Sequence, residues 1–227
     1  VTTPACSDAL GEQAIATLLD SLNAAASFDE PYPHWIAARV LPATIAATLN
    51  RLPVATAGTD GVSGKRELHN DTRQYFDAAN MARFPACAAV AAAFQSSAVT
   101  RRIESLMSTE LGGTYVRLEY AQDVDGFWLE PHTDLGVKRF TMLLYLNEGG
   151  VCDDDRGTDL FADPATWAKR TAFDDNTALI FVPGGDTWHG LRKRPIAGVR
   201  RSVIMNYVTR DWRDREQLAF PDTPVQV

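Results

Sequence analysis

Cysteine is scarce in this chain, and so are long apolar runs and basic charge. The three cysteines, Cys6, Cys87 and Cys152, are odd in number, widely separated and without a CxxC pair. That excludes a disulfide framework and reads as free thiols in a reducing compartment. The most apolar run, Cys87 to Phe94, falls far short of the roughly 20 residues a membrane span needs. Val1 to Asp8 carries neither the basic nor the apolar region of a secretory leader. These absences together give the expectation of a cytoplasmic protein with no membrane partner. Twenty-two basic residues stand against 29 acidic ones, a net charge of −7, so the basic footprint of a nucleic-acid binder is missing. The basic residues that gather between Arg192 and Arg215 read as a solvated, strand-edge distribution.

What is present is globular. The 227 residues, 45% hydrophobic and 22% charged, suffice for a sizeable core. The alanine-rich N-terminal part reads as helical. Ser7-Asp8 can cap a helix carrying Leu10, Ala14, Leu18 and Leu22 at helical spacing. The run Pro31 to Trp35 breaks it, and Pro42 sits in the first turn of a short helix through Leu49. Residues 55–65 contain three glycines and read as a loop. Helices are expected again from Pro85 to Phe94 and from Ser97 to Met107. From Tyr115 the texture changes to short β-rich runs punctuated by Gly, Asp, Asn and Pro. They are Tyr115–Tyr120, Phe127–Pro131, Arg139–Asn147, Thr158–Phe161, Ala178–Val182, Trp188–Arg192 and Arg200–Val208. Short strands separated by turns indicate a sandwich or barrel. The expected fold is α+β with a mainly β core, and the helices pack on its outside. We read residues 1–227 as one domain, with 1–112 mostly helical support and substrate side and 113–212 the β core.

The densest chemistry lies in Glu130-Pro131-His132-Thr133-Asp134-Leu135-Gly136. In a strand, residues i and i+2 share a face, so His132 and Asp134 can hold one metal together. His189, in Gly185-Asp186-Thr187-Trp188-His189-Gly190, supplies a third donor from another strand. Two imidazoles and one carboxylate form the facial triad of non-haem Fe(II) sites. Further on stands Gly198-Val199-Arg200-Arg201-Ser202. Alternation places Arg200 and Ser202 on one face, with Ile204 and Asn206. An inward arginine in an apolar strand needs an anion, either an internal carboxylate or a ligand's, and its fork suits a carboxylate.

With these residues in order, the chain resembles the Fe(II)- and 2-oxoglutarate-dependent dioxygenases of the double-stranded β-helix (jelly-roll) fold, in the prolyl-hydroxylase-like branch. The resemblance covers residues 115–210, and more thinly Pro31 to Trp35 with Leu41-Pro42. Besides the triad and Gly198-x-Arg200-x-Ser202, it rests on the strand Arg139 to Asn147 and on Gly157-Thr158-Asp159-Leu160-Phe161. It implies Fe(II) held by His132, Asp134 and His189, and 2-oxoglutarate and O₂ as co-substrates. Arg200, assisted by Ser202, would pair with the distal carboxylate of 2-oxoglutarate, a charged hydrogen bond worth about 1.5–3 kcal/mol. Tyr145 and Tyr120 match family positions near the same co-substrate. The implied reaction is hydroxylation of an unactivated C–H bond in a small molecule or an amino-acid or peptidyl side chain, with release of succinate and CO₂. Halogenating relatives lack the carboxylate that Asp134 supplies here, so the resemblance points to a hydroxylase.

Other residues read more blandly. Trp128 can line the pocket, though core packing is the preferred reading for both Trp128 and Trp188, and His34 sits in a proline-bounded turn with a structural role. Residues 67–76 read first as an exposed turn and second as a candidate substrate-facing element, and Asp153-Asp154-Asp155 as a solvated loop or an acidic lid. The alternatives in function are a cupin-like metalloenzyme that does not use 2-oxoglutarate, and a non-catalytic metal-binding or oxygen-sensing scaffold. A nucleic-acid demethylase needs a second arginine six residues past Arg200, where this chain has Asn206.

Overall fold

A computed structural model describes residues 4–56, 63–65, 73–147 and 154–227. The N-terminal part forms helices α1 (Pro4–Asn23), α2 (Ala43–Asn50), α3 (Ala78–Arg83), α4 (Pro85–Gln95) and α5 (Ser97–Met107). It also supplies three strands, β1 (Ala26–Phe28), β2 (His34–Ala38) and β3 (Gln74–Tyr75). The C-terminal part is β-rich: β4 (Tyr115–Asp123), β5 (Leu129–His132), β6 (Lys138–Leu146), β7 (Asp159–Asp163), β8 (Thr166–Arg170), β9 (Thr177–Phe181), β10 (His189–Leu191) and β11 (Arg200–Val208).

Local chemistry explains the helix limits. Ser96 caps α5 by accepting from the Val99 amide, and the left-handed Ser108 ends it. Pro85 opens α4, where its missing N–H costs no intrahelical bond. Pro42 precedes α2 as the capping residue, one position before the first turn expected for it. The helix expected after Ser7-Asp8 begins earlier, at Pro4.

The strands form two antiparallel sheets. The larger has the order β1-β2-β9-β6-β11-β4-β3 and the smaller β5-β10-β7-β8. Seven of these strands fall on the expected β runs within a few residues. Strands β1, β2, β3 and β8 carry weak signals, and the run from His34 is recruited as a strand by pairing with β9. This is the double-stranded β-helix with helices outside.

Alternation along the central strands separates two cores. Val203, Met205 and Tyr207 of β11, with Leu144 of β6 and Leu118 and Tyr120 of β4, face Ala14, Leu18, Leu22, Val90 and Phe94 of the helices. Ile204 of β11, Leu143 and Tyr145 of β6, and Ala121 of β4 turn the other way, toward Leu160 of the smaller sheet. Any chemistry between the sheets must therefore use the second parity.

Candidate functional site

The triad is assembled at the end of the smaller sheet. β5 and β10 pair antiparallel with His132 directly opposite His189, and their rings lie 4.4 Å apart, centroid to centroid. Asp134 follows two residues after His132, just beyond the end of β5. One donor atom from each of His132, Asp134 and His189 falls within 4.8 Å of the others.

The imidazoles are oriented by backbone carbonyls. His132 Nδ1 lies 2.8 Å from the Glu130 carbonyl and His189 Nδ1 2.9 Å from that of Thr187. A carbonyl only accepts, so each Nδ1 carries the proton and Nε2 is the lone-pair nitrogen. Burial, then the neighbouring His132, push the His189 imidazole down to about 3, so it is neutral around pH 7. This is the tautomer and charge state that a metal ligand needs.

Asp134 is held from both sides. Its Oδ1 accepts from the Lys138 ammonium, and its Oδ2 accepts from Thr141 Oγ1 at 2.6 Å. Burial raises this carboxyl, but Lys138, His189 and the two hydrogen bonds outweigh burial and hold it well below the usual carboxylate range. Thr141 in turn accepts from Asn206 Nδ2 at 2.9 Å, and Asn206 Oδ1 accepts from Arg117 at 3.2 Å. A chain of polar contacts thus runs from Arg117 through β11 and β6 to Asp134. Donor types, spacing and protonation together fit a facial metal triad.

Two cavities flank the triad, and His132 and Leu129 border both. The outer one measures about 540 Å³ and is lined by His132, Asp134, Lys138, Arg73, Glu119 and Trp212, among others. That volume is typical of a small-molecule site. Glu119, 1% exposed, bridges Arg73 and Arg117, and the Arg117 guanidinium lies over the Tyr75 and Trp212 rings. The inner cavity, about 30 Å³, lies between His132, His189, Arg200, Ser202, Asp123 and Thr158. There Arg200 donates Nε to the Arg156 carbonyl at 2.6 Å, Nη1 to Asp123 Oδ2 at 2.5 Å, and Nη2 to Thr158 Oγ1 at 3.4 Å. Tyr145 is fully buried beside this group, its hydroxyl 2.8 Å from both Thr158 Oγ1 and Thr171 Oγ1.

The structure therefore brings together His132, Asp134, His189, Arg200 and Ser202, with Tyr145 one hydroxyl removed. It does not bring Tyr120 there. Tyr120 pairs with Val203, one position away from Ser202, so its side chain points into the helix-side core and donates to the Leu49 carbonyl at 2.8 Å. Trp128 packs on Gly64, where an added Cβ would fall 2.5 Å from the indole, and borders a neighbouring groove with Phe161 and Arg192. Trp188 is half-buried and accepts at its carbonyl from the Phe161 amide. His34 is buried in β2 and bonded to the Tyr32 carbonyl, a structural role.

Of the candidate substrate-facing residues 67–76, 67–72 lie outside the described residues, while Arg73 reaches the outer cavity. Of the acidic run, Asp153 lies outside them, and Asp155 pairs with Arg170 at 2.9 Å. Sequence reasoning missed Asp123, Lys138, Thr141, Arg117 and Glu119. The signal was available: Arg117, Glu119 and Asp123 alternate along β4 on the inter-sheet parity.

No family model matches the sequence, and no curated protein matches it. Solved structures do. A Pseudomonas putida prolyl 4-hydroxylase aligns at TM-score 0.53 and 18% identity, over 86% of this chain and 94% of its own. A Trichoplax adhaerens prolyl hydroxylase, solved with a hypoxia-inducible-factor peptide fragment, aligns at TM-score 0.57 and 15% identity over 91% and 94%. HygX from Streptomyces hygroscopicus, solved with nickel and 2-oxoglutarate, aligns at TM-score 0.51 and 14% identity over 86% and 90%. The chain has the 2-oxoglutarate–Fe(II) oxygenase fold. At these identities the likeness is one of fold, and the site must be argued from this chain's own residues.

Proposed function

We propose that this chain is an Fe(II)- and 2-oxoglutarate-dependent oxygenase. It hydroxylates an unactivated C–H bond of a small molecule or an amino-acid or peptidyl side chain and releases succinate and CO₂. The observation that carries the reading is convergence: of a His-Asp-His donor set within 4.8 Å, the two histidines border an inner cavity together with Arg200 and Ser202. Neither half alone is specific. The shared fold with structures that hold 2-oxoglutarate and a metal supports the combination.

In this reading His132 Nε2, His189 Nε2 and one oxygen of Asp134 would hold Fe(II). Bound iron supplies the oxidative chemistry with 2-oxoglutarate and O₂. The remaining work belongs to the protein. The carbonyls of Glu130 and Thr187 fix the two imidazoles, and Lys138 and Thr141 fix the carboxylate. Arg200 and Ser202 take the distal carboxylate of 2-oxoglutarate, and Tyr145 orients the Thr158 hydroxyl beside Arg200. The outer cavity of about 540 Å³ receives the substrate, with the Arg73–Glu119–Arg117 group as its polar wall.

Anaerobic titration of the protein with Fe(II) and then 2-oxoglutarate tests this directly. A weak visible metal-to-ligand charge-transfer band is expected, followed by succinate release on aeration with a substrate panel of amino acids, peptides and metabolites. Arg200→Ala should weaken 2-oxoglutarate binding and spare metal binding. No band and no succinate across the panel would overturn the reading.

A further inference from the structure

The inner cavity contains a carboxylate that the proposed function does not use. Asp123 ends β4 directly opposite Arg200 of β11. The two side chains, 10% and 9% exposed, meet across the strands at 2.5 Å. Both border the cavity shared with His132, His189 and Ser202. The Arg200 fork is thus engaged at Nε by a backbone carbonyl, at Nη1 by Asp123 and at Nη2 by Thr158. The cavity beside this pair is small, about 30 Å³. An incoming carboxylate therefore meets an Arg200 already engaged by Asp123.

We infer that Asp123 is a specificity-determining residue of the co-substrate cavity, competing with the end group of the co-substrate for Arg200. This rests on the reading that Arg200 receives the distal carboxylate of 2-oxoglutarate. Two carboxylates and one guanidinium leave an excess negative charge in a buried space, and like charges a few ångströms apart disfavour one another. The incoming carboxylate therefore binds Arg200 against Asp123, and Arg200 must turn from it or share its fork. A neutral end group with N–H donors escapes this penalty, since Asp123 can accept from it. Asp123 consequently narrows the preference for 2-oxoglutarate over neutral analogues and sets its affinity low.

The test uses the full chain loaded with Mn(II) under anaerobic conditions. Dissociation constants are measured calorimetrically for 2-oxoglutarate and for 2-oxoglutaramate, its distal amide, on the wild type, Asp123→Asn and Asp123→Ser. Removing the competing charge should tighten 2-oxoglutarate binding about tenfold and raise the preference for acid over amide by a similar factor. A merely structural Asp123 would shift both ligands together and leave their ratio unchanged, which overturns the proposal. If Asp123→Asn does not fold, the ratio on Asp123→Ser decides in the same way. Absence of 2-oxoglutarate binding to the wild type overturns the co-substrate reading and this proposal with it. Binding whose acid-to-amide ratio ignores position 123 overturns this proposal alone.

Discussion

Each histidine of the candidate site is set by one hydrogen bond made at the far side of its ring. His132 and His189 use the carbonyl two residues upstream of each, so a local i−2 contact selects the tautomer that leaves Nε2 for a metal. Asp134 depends instead on Lys138 and Thr141, both on β6. Tyr120 shows the opposite outcome: its match to a family position does not decide where its hydroxyl goes, because strand parity does. Tyr120→Phe removes a buried hydrogen bond to Leu49 and should cost about 1 kcal/mol in chemical denaturation. It should leave the 2-oxoglutarate dissociation constant unchanged, and a marked loss of that affinity would place Tyr120 back at the site.

At the scale of elements, the site depends on how closely the Gly157–Thr158 turn lies against the segment after β8. A Cβ on Gly157 would fall 1.6 Å from the Thr171 carbonyl oxygen, and the Thr171 amide donates to the Thr158 carbonyl at 3.0 Å. This approach carries Thr158 Oγ1 to Arg200 and to Tyr145. Just beyond it, Asp159, fully buried, accepts from Trp167, Arg170, Arg194 and the Arg192 amide, which ties β7, β8 and the end of β10 together. Gly157→Ala cannot be absorbed by a side-chain shift, since the obstacle is backbone. It should destabilise the fold by about 3 kcal/mol and weaken 2-oxoglutarate binding, both readable from urea melts and calorimetry. A variant with wild-type stability would show the turn to be adaptable.

At the scale of the molecule, the buried ionisable groups make the metal-free protein sensitive to acid. His189 titrates lower in the folded chain, near 3, than in the unfolded chain, near 6.5. The unfolded state therefore binds the extra proton first. The stability His189 contributes is present above about pH 6.5 and is lost as pH falls from there toward 3. Asp134, held below the usual range, keeps its contribution above the ordinary carboxylate value and loses it as pH falls through its own folded value. The urea midpoint should decline steadily between pH 6.5 and 3, and His189→Gln should flatten that decline. A midpoint constant over the window in the wild type would refute the burial argument. Among the described residues, no helix is long and apolar enough to cross a membrane.

The sequence by itself determined the parts whose signals are local. Apolar alternation, turn residues and proline positions located the main strands and helices, and the spacings His132-x-Asp134 and Arg200-x-Ser202 singled out four candidate site residues. These depend on chain-neighbour geometry, which sequence encodes directly. The tertiary structure alone decided which carboxylate faces Arg200, which lysine meets Asp134, and which tyrosine turns inward. Asp123 is 77 residues from Arg200 in the chain, and only the antiparallel register of β4 and β11 sets them side by side. Pairing register is a property of two strands together, so strand parity separates Tyr120, sealed in the helix-side core, from Asp123, turned toward Arg200 between the sheets.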